Sequence, residues 1–189
     1  MSNIEEIDYG PLGDLIGVWK GREGVDIAPE PEGTENNLYH EVITYSAGGS
    51  ITNAESQTLA VVHYRQVVRR ISNEKIIHDQ TGYWMWDATT NTVMHAFAIP
   101  RGICVLAGGI YKGHKDKDSR AILELSAKAG DTQYSIIESP FMQEQAVTVE
   151  FRQKLIIGNG QLSYFQTTMV DIYGKMFEHT DCNELTLSE

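Results

Sequence analysis

The chain has 189 residues, 41% of them hydrophobic and 22% charged, which suits one globular domain with a sizeable core. Its formal net charge of -11 argues against a nucleic-acid partner, because phosphate binding calls for clustered Lys and Arg. The one basic cluster, Arg65, Arg69 and Arg70, is followed by Glu74 and reads as a solvated rim.

Residues 1–10 read as a flexible N-terminal segment. They carry Glu5, Glu6 and Asp8 rather than the basic start and apolar run of a signal peptide, so a cytoplasmic location is expected. A short helix is predicted from Pro11, with Leu12, Leu15 and Ile16 as its apolar stripe, seated as a plug at one end of the fold. Val18–Glu23 is the first predicted strand. Residues 24–37, rich in Pro, Gly and acidic side chains, read as a loop or lid. Strands then follow closely: Leu38–Ser46, Ser56–Arg70, Lys75–Asp87, Thr92–Ile99 and Gly102–Tyr111. A charged turn at 113–119 precedes strands at Arg120–Ala127 and Thr132–Glu138. Ala146–Ile157 and Gln161–Tyr173 are joined by Gly158-Asn159-Gly160, a strong hairpin signal, and Asn183–Leu187 closes the series. In Ala146–Ile157 the alternation puts Val147, Val149, Phe151, Leu155 and Ile157 on one face and Thr148, Glu150, Arg152 and Lys154 on the other.

About ten antiparallel strands without interleaved helices favour an all-β, single-domain, up-and-down barrel over residues 1–189, since closure removes sheet edges. A two-sheet sandwich is the alternative architecture. A barrel this wide leaves a cavity for a small apolar ligand. No stretch approaches the roughly 18 apolar residues of a membrane span. Cys104 and Cys182 are expected to be free thiols, and no CxxC or HxxxH spacing suggests a metal site.

The histidines are the candidate chemical groups. His179, flanked by Met176 and Phe177, could meet a flat apolar cofactor as a neutral nitrogen donor. His95 lies in a nearly all-apolar strand and is either a satisfied core histidine or a cavity-lining one. His78 and Asp79 are strand neighbours and point to opposite faces, so they form no dyad. Neither a GxSxG elbow nor a P-loop is present.

Four landmarks occur in an order that resembles the nitrobindin-like haem-binding β-barrels, relatives of the fatty-acid-binding-protein-like and lipocalin-like barrels. They are the Gly17, Trp19, Gly21 start, and the strand Thr81-Gly82-Tyr83-Trp84. The turn Ile99-Pro100-Arg101-Gly102 and the run from Tyr164 and Met169 to His179 complete the set. The resemblance implies a ten-stranded barrel that holds haem b at its mouth, with His179 as the iron ligand. It also implies nitric oxide or peroxynitrite handling, and an enzyme only by way of peroxynitrite isomerisation. Trp19, Gly21, Tyr83, His95 and Met169 are the expected pocket wall. The chain departs from the family pattern at Glu23, Met85 and Gln145. It also departs around His179, where Glu178 and Asp181 place negative charge expected to raise its pKa. The alternatives are a carrier of a fatty acid or other apolar ligand without iron, and an isomerase or cyclase that uses His95 with Arg101. A homodimer is the one protein partner considered.

Overall fold

The structure, a computed structural model, describes residues 7–188. Most of the residues predicted to be flexible lie outside that range. A 3-10 turn, Gly10–Leu15, is followed by β1 (Gly17–Glu30), β2 (Gly33–Asn53), β3 (Gln57–Arg70), β4 (Ile76–Asp87), β5 (Thr92–Ile99) and β6 (Ile103–Ile110). Then come β7 (Ala121–Lys128), β8 (Ile136–Glu138), α1 (Pro140–Gln145), β9 (Ala146–Gly158), β10 (Gln161–Ile172) and β11 (Lys175–Leu187). The hydrogen-bonded order is β5-β4-β3-β2-β1-β11-β10-β9-β7-β6, and β6 returns to β5. Ten antiparallel strands therefore close a ring, as expected. The three-residue β8 sits outside it and shares the second edge of β6 with β7, which meets β6 only at Gly108↔Ser126.

One end is sealed as predicted. Leu12, Leu15 and Trp19 are completely buried, and the Trp19 indole donates to the Leu15 carbonyl at 2.7 Å. This floor merges with Leu123, Leu155, Ile157, Leu162 and Leu185 into the main core. No helix among the described residues is long and apolar enough to cross a membrane. Cys104 and Cys182 are free thiols.

Four expectations about local structure change. Residues 24–37 are the two arms of a hairpin, paired from Val25↔Leu38 to Glu30↔Gly33, rather than a loop. Pro29 lies past Ile27, where pairing to β11 has ended and a missing N–H costs least. The register slips between Gly21 and Gly24, and a Cβ at Gly24 would collide with the Tyr39 ring. Second, β11 starts at Lys175 instead of Asn183. Tyr173 and Gly174 both have positive φ and make a tight hairpin, so His179 sits mid-strand opposite Thr168. Third, a bulge in β9 leaves Val149 unpaired between Glu150↔Met169 and Thr148↔Val170. That flips the phase, so Thr148 rather than Val147 turns inward. Fourth, most of the predicted strand before Glu138 is irregular. After it Ser139 caps α1 by accepting from the Met142 N–H, with Pro140 opening the helix.

Candidate functional site

The end opposite the floor is open. An interior cavity of about 370 Å³ lies there, bordered by Arg101 and Tyr173 of two turns, by Pro29 and Arg70 at the ends of β1 and β3, and by Met142 of α1. Strand alternation builds its wall, because side chains two apart share a face. Asn37 and Tyr39 of β2, Tyr164, Gln166 and Thr168 of β10, and His179 and Asp181 of β11 all line it in this way. Branched aliphatics such as Val68, Ile77, Ile103 and Val170 line it as well.

Three titratable groups of the wall, Asp26, His179 and Asp181, meet across the β1–β11 seam. Asp26 faces Asp181 in the ladder, and His179 is two residues from Asp181. His179 Nε2 lies 2.6 Å from Asp26 Oδ1 and 3.6 Å from Asp181 Oδ2. Asn37 Nδ2 donates to the other Asp26 oxygen at 2.8 Å. Burial by itself would lower the His179 pKa, but the Asp26 hydrogen bond and the two carboxylate charges lift it above the usual value. The acidic neighbourhood foreseen from Asp181 is thus real, although Asp26 is the closer partner. Burial also pulls Asp26 upward, yet its bonds to His179 and Asn37 hold it below the ordinary range. Asp181 is pushed up to about 7 by burial and by the Asp26 and Glu41 charges, against the pull of His179.

Polar networks continue beneath the cavity. The Glu41 carboxylate accepts from Tyr164 Oη at 2.9 Å, Asn183 Nδ2 at 2.7 Å and Gln66 Nε2 at 2.5 Å. Burial raises its pKa against those three bonds. A second chain runs in one direction. His78 Nε2 donates to Gln80, Gln80 to Tyr64, Tyr64 to His95 Nε2, His95 Nδ1 to Gln153, and Gln153 to Gln166. Each link fits one tautomer of each histidine, and both chain ends line the cavity.

Of the residues expected in the pocket wall, His179 is there and the other five are not. Trp19 plugs the floor. Gly21 sits in the β1–β11 seam, where an added Cβ would press on the Glu184 carbonyl. Tyr83 is 49% exposed and faces outward beside His63, at an open groove of about 450 Å³ on the barrel's outer wall. His95 is a core histidine, 1% exposed and stacked on Trp84 at 4.1 Å, and burial holds its pKa down to about 3. Met169 lies beside the β9 bulge, and its neighbours Thr168 and Val170 line the cavity in its place. Buried His95 and cavity-lining Arg101 do not share a cavity, which removes the basis for the isomerase reading. Asp26, Asn37 and His78 were missed. The alternation of Asp26 with Val25 and Ile27 was the available signal, masked by the prolines and glycines around it.

The THAP4-like, heme-binding beta-barrel domain family matches residues 8–186. The chain belongs to that family. The crystal structure of Rv2717c from M. tuberculosis is similar to it at 21% identity and a TM-score of 0.68, over 94% of this chain and 95% of that one. That likeness establishes the fold. No curated protein matches the sequence.

Proposed function

We propose that the interior cavity binds haem b, with His179 as the axial ligand, and that the iron handles nitric oxide or peroxynitrite. One observation carries the reading. His179 is an imidazole in the cavity wall whose Nδ1 makes no hydrogen bond among the described residues, while Nε2 is held by Asp26.

The residues fit such a group. A neutral imidazole that donates one N–H to a carboxylate keeps its lone pair on the other nitrogen, and the carboxylate fixes the tautomer and raises its basicity. Asn37 in turn fixes Asp26. Val68, Ile103 and Val170 would keep water from a flat apolar ring. Arg101, and Arg70 beyond its pair with Glu35, would offer guanidinium groups to carboxylates at the mouth. When bound, the iron supplies an open coordination position for a small nitrogen oxide.

A second reading rests on the same arginines. Arg101 makes one long bond, 3.3 Å to the Ile77 carbonyl, and Arg70, whose Nη2 pairs with Glu35 at 3.1 Å, has a buried Nε with no partner among the described residues. Both suit the acid group of an apolar carboxylic acid carried without iron. Haemin titration of the wild type and of His179→Ala separates the two. A saturable one-to-one Soret shift, lost in the variant, is expected. No shift, together with a fatty acid in the organic extract of the purified protein, would replace haem by the second reading.

A further inference from the structure

We propose that Asp26, His179 and Asp181 form a site for one divalent transition-metal ion of the zinc or ferrous class, bound directly by the protein. The inference goes beyond haem binding and does not need it.

The three side chains each offer one ligand atom, and these atoms lie within 4.8 Å of one another. Donors about 2.1 Å from a common tetrahedral ion sit ~3.4 Å apart, so an ion on Nε2 displaces the proton shared with Asp26, spreads that 2.6 Å pair and draws the widest pair of the set together. One imidazole nitrogen with two carboxylates suits zinc or ferrous iron better than it suits magnesium or calcium, which take oxygen. Two carboxylates and a neutral imidazole also balance a double positive charge.

The surroundings are those of a ligand set. Asp26 and Asp181 stand directly opposite each other on neighbouring strands, with the His179 imidazole between them as the group a cation would bridge to both carboxylates. The Asp26 carboxylate is oriented from behind by Asn37. The Asp181 carboxyl meets the Asp26 side chain, and His179 Nε2 lies 3.6 Å from it. All three residues border the cavity, so positions on the cavity side stay open to water or a small ligand. A neutral imidazole has one lone pair. The cation takes it on Nε2 and an axial haem ligand takes it on Nδ1, so the two occupants exclude each other at His179.

The test is a cobalt(II) titration of chelator-stripped protein, followed by its visible d–d absorption, with zinc as competitor. Saturable one-to-one binding that zinc reverses is expected, weakened at least tenfold in Asp26→Asn and in Asp181→Asn. A wild type that takes up no stoichiometric cobalt below millimolar concentration overturns the site, as does undiminished binding in folded Asp181→Asn. If the variants do not fold, the wild-type melting temperature decides. It rises with zinc concentration if the folded state binds the ion, and a flat response overturns the proposal. Haemin separates this result from the haem reading. Asp181→Asn keeps a haemin Soret shift while losing cobalt. A wild type that binds cobalt but not haemin ends the haem reading and leaves the cation site standing.

Discussion

The floor and the mouth of the barrel are made from the same alternating strands, yet their inward positions are filled in opposite ways. At the floor, Trp19, Leu15, Leu123, Leu155 and Leu185 point inward, and each is 2% exposed or less. At the mouth the inward positions of β1, β2, β10 and β11 hold Asp26, Asn37, Thr168, His179 and Asp181. Buried apolar area stabilises at roughly 25 cal/mol per Å², whereas ion pairs taken out of water gain little net energy. Stability therefore comes mainly from the floor, while the mouth carries the buried titratable cluster. Between them lies a polar layer around Glu41 and His95, in which every hydrogen-bonding group of the two side chains has a partner.

The comparison breaks most visibly at Trp19. Trp19→Ala removes a fully buried indole, so urea unfolding should show a loss of about 3–5 kcal/mol. A loss no larger than that from a mouth substitution would end the division of labour. The middle layer gives the next effect through pH. His95 is held down to about 3 in the fold against the ordinary histidine value of 6.5, so its stabilisation is present above about 6.5. It is lost as pH falls toward 3, because only the unfolded chain takes the proton; the full loss is on the order of 5 kcal/mol, of which about 3 falls between pH 7 and pH 4. Urea midpoints from pH 7 to pH 4 should fall more steeply in the wild type than in His95→Gln, and parallel slopes would refute the assignment. The smallest effect is at the mouth. Arg101→Gln gives up one long backbone contact, so stability should change by under about 0.5 kcal/mol while haemin or fatty-acid binding weakens. A large loss of stability there would mean that the mouth also holds the fold together.

Much of the barrel was legible from alternation and turn chemistry. The Asn159-Gly160 hairpin, the plug from Pro11 and the near-apolar β5 all stand where periodicity put them. What escaped was register. The slip at Gly21 and Gly24 and the bulge at Val149 each change which residues face inward, and neither has a local signature strong enough to count. The same limit explains the site. His179 and the charge of Asp181 could be read from one short segment. Their partner Asp26 is 153 residues from His179 and lay in a stretch whose prolines and glycines resemble a loop. Tyr83 was drawn into the pocket wall by its place in a motif, but strand parity turns it outward.

The β1–β11 seam has a consequence for how the protein folds. It joins the first strand of the ring to the last, so it is the pairing with the greatest separation along the chain. Such contacts are slow to form, because the entropy of closing a long loop is spent before any contact offsets it. Asp26 and His179 meet only once that closure is complete. An occupant that bridges them acts as a clasp on the ring and should slow its unfolding, and before the clasp closes β1 and β11 are two bare edges.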